Sequence, residues 1–184
     1  STGMATVKEI ESAINILKKN GTSKIILLKC TSYYPADPKD VNLRTILEMK
    51  KKFKCIIGIS DHTIGTSVGL ASVALGAQVI EKHFKLPNDN QSLDSHFSID
   101  FKEMKYLVDQ CKVVKSSLGS VFFGPTKNEL KNIKSRQSIY YSKDIIKGDL
   151  ITGSNIKIVR PSLGLHPKYF DKIIGKKLKK NVTY

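Results

Sequence analysis

Three short runs, each apolar on both faces, constrain this chain more than any other feature. They are residues 24–30 (KIILLKC), 55–59 (CIIGI) and 79–84 (VIEKHF). A strand with two apolar faces is covered on both sides, the habit of parallel sheets flanked by helices. The stretches between the runs have helical periodicity. Thr6 and Glu9 form a capping-box signature, followed by Val7, Ile10, Ile14 and Leu17, with Gly21 as the stop. A second helix is expected from Asp40, carrying Leu43, Ile46, Leu47 and Phe53. Residues 67–77 (SVGLASVALGA) read as a small-residue helix suited to close packing. Asp100 and Glu103 cap a fourth, with Phe101, Met104, Leu107, Val108 and Cys111 on one face. Strands alternating with helices of this length predict βαβ units, a parallel sheet and an α/β fold.

The polar clusters TSYYP and SDHT and the segment after HF each fall directly behind a predicted strand. In α/β barrels and open sheets that carboxyl-end rim is where ligands bind. Residues 1–3 read as the end of a further strand, whereas a closed eight-stranded barrel takes about 250 residues. The chain is therefore expected to be the C-terminal part of a longer protein, cut at both ends.

Residues 1–119 form the expected α/β domain, 120–135 a linker and 136–184 a small β-rich module. In the module, SIYYS, DIIKGD and NIKIVRP read as short strand-like pieces between turns.

Charge and cysteine usage narrow the function classes. The formal net charge is +15, yet the only arginines are Arg44, Arg136 and Arg160. Lysines dominate, on outer helix faces (Lys18, Lys19, Lys50, Lys51, Lys52) and near the end (Lys176, Lys177, Lys179, Lys180). Nucleic-acid readers favour arginine forks and interleaved aromatics, so a solvated lysine surface is the preferred reading and no nucleic-acid partner is expected. No apolar run approaches the ~18 residues of a membrane span, and nothing resembles a signal peptide. A cytoplasmic protein with no membrane partner is expected. Cys30, Cys55 and Cys111 lack a CxxC spacing and read as reduced thiols.

His62 (SDHT) and His83 (EKHF) sit at or beyond the ends of two predicted neighbouring strands, which lie about 5 Å apart in a sheet. Two readings stand: a shared divalent metal, to which imidazole is well suited, or two hydrogen-bonded rim histidines. Asp61 and Glu81 either orient these histidines or form salt bridges to Lys29 or Lys82. Ser1-Thr2-Gly3, Thr31-Ser32 and Ser60 place hydroxyls at three successive strand ends. They could cradle a phosphate or carboxylate, or act as turn and helix caps. Tyr33 and Tyr34 stand on the rim, where packing under a loop is favoured for one of them. Asp94, His96 and Ser98 face a polyol or solvent.

Taken together, STGMAT, LLKCTSYYP, NLRTI, GISDHTIG, ALGAQVIEKHF and LDSHFSID resemble, in order, the N-acetylneuraminate (sialic acid) synthase family. RQSIYYSKDIIKGDLIT and NIKIVRPSLGLHPKYFDKIIGKK resemble its C-terminal antifreeze-like (SAF) domain. GLHPKY and LDSHFS look most like the pseudaminic acid synthase branch. The resemblance implies the C-terminal half of a (β/α)₈ barrel followed by a SAF domain, in a domain-swapped homodimer. It implies condensation of phosphoenolpyruvate with an amino-sugar aldehyde, for this branch 2,4-diacetamido-2,4,6-trideoxy-altrose, to a nine-carbon keto acid. By position, His62 and His83 would hold Mn²⁺ or a similar divalent ion. Ser1, Ser32 and Ser60 would contact phosphoenolpyruvate. Tyr34 and Asp94 would contact the sugar and serve catalysis, and Arg160 would reach the sugar from the partner subunit.

Some residues depart from the family pattern. Ser162 stands where a glycine usually follows Arg-Pro, and residues 85–92 lack the usual acid and glycines. The family's catalytic glutamate and phosphate-binding lysines lie upstream of STG, so this piece alone is expected to be inactive. The alternatives are a neuraminate or legionaminate synthase, and a non-catalytic carbohydrate- or anion-binding module.

Overall fold

The structure, a computed structural model, describes residues 1–89 and 91–184. Asn90, in the loop noted above, lies outside the described residues. The chain divides into two compact units, Ser1–Ser120 and Val121–Tyr184.

In the first unit, β1 (Ile26–Cys30), β2 (Ile56–Asp61) and β3 (Val79–Lys82) form a three-stranded parallel sheet in that order. The register runs in level rows: Leu28, Gly58 and Val79; then Cys30, Ser60 and Glu81. Strand alternation sends both rows to one face. The opposite face carries Leu27, Lys29, Ile57 and Ile59 towards the helices. Ile57 and Ile59 are each 1% exposed.

Helix α1 (Val7–Lys19) begins at the expected Thr6–Glu9 capping box, and α4 (Phe101–Ser117) at Asp100–Glu103. Ile14 of α1 packs with Ile46, Met49, Phe53, Ile57 and Ala77 in the core. Ile46 and Met49 belong to α2 (Thr45–Lys52). This helix starts later than expected, because Asn42 adopts φ 50 and a left-handed residue cannot continue a right-handed helix. Asp40 ends a single 3₁₀ turn, Pro38–Asp40, instead. Helix α3 (Ser67–Ala74) also stops short of the expected Ala77, with Gly76 turning left-handed at φ 94. Strand β3 ends at Lys82, and Phe84 makes only a single bridge to Ile99.

In the second unit, β4 (Ser138–Tyr141) and β5 (Ile156–Val159) pair antiparallel. A short helix α5 (Phe170–Ile173) follows a 3₁₀ turn. Ile139, Ile145, Ile151, Ile156 and Leu178 make this unit's own core. DIIKGD forms no ladder, since Gly148 turns at φ 96 in its middle. Ile145 and Leu150 make isolated bridges to Val182 and Lys177. Residues 129–135 form a 3₁₀ helix. Ser162 takes no positive φ. Its hydroxyl and amide donate to the Ile133 and Lys134 carbonyls, so the turn after Arg-Pro needs no glycine here. Among the described residues no helix is long and apolar enough to cross a membrane.

Candidate metal and substrate site at the strand ends

One residue beyond the last paired row, the ladder delivers His62 and His83 side by side. Their ring centroids are 5.2 Å apart, at 81°. The register makes this so: Asp61 pairs with Lys82, and each histidine comes next. His62 is buried, 6% exposed.

The hydrogen bonds fix one of the two ring nitrogens of His62. Its Nδ1 lies 2.9 Å from the Thr31 carbonyl, which only accepts, so Nδ1 carries the proton. In the neutral ring Nε2 is then a lone pair. Its neighbour is Ser60 Oγ at 3.3 Å. Ser60 gives its one proton to Glu81 Oε1, 2.7 Å away. Two lone pairs therefore face each other beside a carboxylate, an arrangement that favours a cation. His83 repeats the pattern, with Asp94 Oδ2 3.3 Å from Nδ1, leaving Nε2 for a ligand. An acceptor behind each imidazole is the usual way a metal-binding histidine is oriented. Among the described residues, no group of three or more His, Cys, Asp or Glu side chains has metal-holding spacing. The two imidazoles would thus leave most positions of an ion open.

An aromatic wall surrounds the pair. Tyr34 lies 4.2 Å from His62, and Phe97 4.8 Å from His83. Tyr33 is 68% and Tyr34 50% exposed, so neither is packed under a loop as expected, although Tyr34 lays its ring against His62. Phe97, 2% exposed, escaped the sequence reading. The available signal was its place between polar His96 and Ser98, which alternation turns outward. His96 Nδ1 donates to the Leu93 carbonyl and Ser98 Oγ to the Asp94 carbonyl, so both brace this loop.

The remaining candidates divide. Ser32 Oγ is 3.7 Å from Cys30 Sγ, and Cys30 Sγ is 4.0 Å from His62 Nδ1, so a buried thiol belongs to the cluster. Gly3 passes so close to Ser32 that a Cβ there would sit 2.0 Å from its hydroxyl. Thr2 anchors this segment, its amide and hydroxyl donating to the Leu28 carbonyl, whereas Ser1 is exposed. Of the acids, Glu81 reaches His62 through Ser60, while Asp61 faces away and forms a buried ion pair with Lys82. Lys29 turns instead to the Thr31 hydroxyl, and burial lowers its pKa from the usual lysine value. Arg160 lies in the second unit, around a shallow pocket with Arg136 and His166.

Parallel strands ending in two adjacent imidazoles, with serine hydroxyls beside them, form a candidate ligand site at the carboxyl-end rim of an α/β unit. A family model for the NeuB family matches residues 1–122, and one for the SAF domain matches residues 136–183. The chain belongs to the NeuB family. Over its whole length it is 44% identical to a pseudaminic acid synthase of Campylobacter jejuni. Over 98% of its length it is 41% identical to an N,N'-diacetyllegionaminic acid synthase of the same organism. The chain spans about half the length of these relatives, 54% and 55%. The crystal structure of N-acetylneuraminic acid synthetase from Leptospira borgpetersenii in complex with citrate superposes with a TM-score of 0.64. That match has 37% identity over 71% of this chain and 46% of that one.

Proposed function

We propose that the protein containing this chain is a cytoplasmic pseudaminic acid synthase. It condenses phosphoenolpyruvate with 2,4-diacetamido-2,4,6-trideoxy-altrose, giving a nine-carbon nonulosonic acid and phosphate. The observation that carries the reading is that His62 and His83, on rings 5.2 Å apart, each turn Nδ1 to an acceptor and leave Nε2 for a ligand. The 44% identity to a pseudaminic acid synthase supports the choice of sugar.

His62 and His83 hold a divalent ion, Mn²⁺ or similar. Bound there, it supplies Lewis acidity towards a carbonyl oxygen. The methylene carbon of phosphoenolpyruvate forms the new bond to the aldehyde carbon. Water oxygen adds at C2, the C2–O bond to phosphorus breaks, and inorganic phosphate leaves. Ser1 and Ser32 offer hydroxyls to the phosphate or carboxylate of phosphoenolpyruvate, and Ser60 joins them when its proton turns from Glu81 to the anion. Tyr34 walls the sugar site. Asp94, whose side chain is 52% exposed, faces it while steadying His83. Arg160 reaches the sugar of the partner subunit in a domain-swapped homodimer. The work of these groups is positioning and charge stabilisation of two anions and a developing alkoxide.

The test uses the natural polypeptide that contains these residues, with phosphoenolpyruvate, Mn²⁺ and the diacetamido-altrose sugar, following phosphate release and keto-acid formation. Turnover is expected, and both His62→Ala and His83→Ala should abolish it. Turnover with the legionaminate or neuraminate precursor alone would keep the reaction and change the sugar. Phosphate release by neither would sink the assignment.

A further inference from the structure

The last paired row of the β2–β3 ladder is a buried ion pair. Asp61 Oδ2 and Lys82 Nζ are 3.0 Å apart, and their side chains are 0% and 1% exposed. Thr63 completes the unit. Its amide and hydroxyl donate to Asp61 Oδ1 at 3.0 and 2.8 Å, and its carbonyl accepts from Lys82 Nζ. Among the described residues no buried side-chain polar atom lacks a partner, so the network is closed.

Such a pair is a poor device for stability alone. Two charges leave water, and a well-packed apolar pair often serves as well or better. What the pair does supply is a defined geometry at one place. Asp61 directly precedes His62, and Lys82 directly precedes His83. Alternation puts the two charges on the helix-facing side and the two imidazoles on the other. The histidines sit just past the end of the backbone ladder, where strand ends otherwise fray. The charge pair cross-links the two strands at that point. The third member, Thr63, clamps the chain immediately after His62. On the opposite face, the Ser60–Glu81 bond also joins β2 to β3, but Glu81 is exposed.

We infer that Asp61, Lys82 and Thr63 act as positioning residues. They set the separation and tilt of the His62 and His83 rings, and through them the affinity for a divalent cation. The inference rests on the metal reading above and adds to it residues on the far face of the sheet that touch neither metal nor substrate.

Mn²⁺ affinity, read by electron paramagnetic resonance titration of the natural polypeptide containing these residues, tests this without any turnover. Thermal melting in metal-free buffer runs beside it. The double variant Asp61→Asn with Lys82→Met removes both charges at nearly constant volume. It should bind Mn²⁺ about 10–100-fold more weakly, the usual effect of losing an outer partner of a ligand, while melting at or above the parent temperature. Affinity within about twofold of the parent in the folded double variant would show a merely structural pair and overturn the inference. If the double variant does not fold, Thr63→Val decides. It leaves both charges in place and removes only the hydroxyl that steadies Asp61, and it should weaken Mn²⁺ about threefold or more. Unchanged affinity there overturns the inference equally. A parent protein that binds no Mn²⁺ overturns the metal reading and this inference together.

Discussion

At the scale of single residues, the site depends on where protons sit. His62 offers a lone pair because Thr31 holds its other nitrogen, and Ser60 cannot fill the gap because Glu81 takes its proton. The same accounting applies at the surface. Glu9 closes the α1 capping box, and the Thr6 hydroxyl bound to it lowers its pKa below the ordinary 4.5. A carboxylate with a depressed folded pKa contributes stability that is present above the unfolded value and lost as pH falls through the folded one. Glu9→Gln has no such titration, since the amide stays neutral. The urea midpoint of the parent should therefore exceed that of Glu9→Gln at neutral pH, and the gap should close once pH drops well below 4.5. A gap that persists in acid would mean that the charge of Glu9 is irrelevant to the cap.

At the scale of elements, a few close backbone approaches decide which sequences the sheet accepts. A Cβ on Gly58 would lie 2.4 Å from the Val79 carbonyl and 2.7 Å from Leu28 Cδ2. Gly58 belongs to the same face as Ser60 and His62, two and four residues on. Gly58→Ala should therefore cost about 1–3 kcal/mol through overpacking, visible as a lower urea midpoint. It should also weaken metal binding, because β2 and β3 must part to admit the methyl. Gly164 plays this part in the second unit, where a Cβ would lie 2.5 Å from the Ile139 carbonyl. The elements also mark where local reading falls short. Capping boxes were legible because both partners lie within four residues. The start of α2 was not read, although asparagine is among the residues that most readily take a left-handed φ such as the 50° of Asn42.

At the scale of the whole molecule, 31 lysines and arginines face 16 acids. The exposed ion pairs Lys51–Glu48 and Lys105–Asp109 join near neighbours on one helix, Lys52–Glu11 links α2 to α1, and most lysines remain in excess. Self-repulsion of this kind is screened within a Debye length of about 10 Å at 0.1 M salt. The melting temperature should therefore rise between about 10 mM and 150 mM sodium chloride. A fall over that range would mean that specific ion pairs outweigh net repulsion. Each unit has its own apolar core, so core truncations should act locally. Ile46→Ala, at a site 0% exposed, should cost about 2–5 kcal/mol. Hydrogen exchange should show the loss in residues 1–120 first.

The sequence by itself determined the parallel α/β unit, the capping boxes and the placement of two histidines at adjacent strand ends. All three follow from periodicities of two and 3.6 residues and from short-range hydrogen bonds. The 21-residue interval between His62 and His83 was legible as one strand–helix–strand repeat, and the register bears it out. Only the tertiary structure decided the rest. It chose Lys82 over Lys29 as the partner of Asp61, turned Asp94 to His83, and brought Phe97 against the imidazoles. Those choices rest on which side chains meet across strands and loops. Burial then selects the one pairing that leaves no polar atom unsatisfied, and no local pattern encodes that.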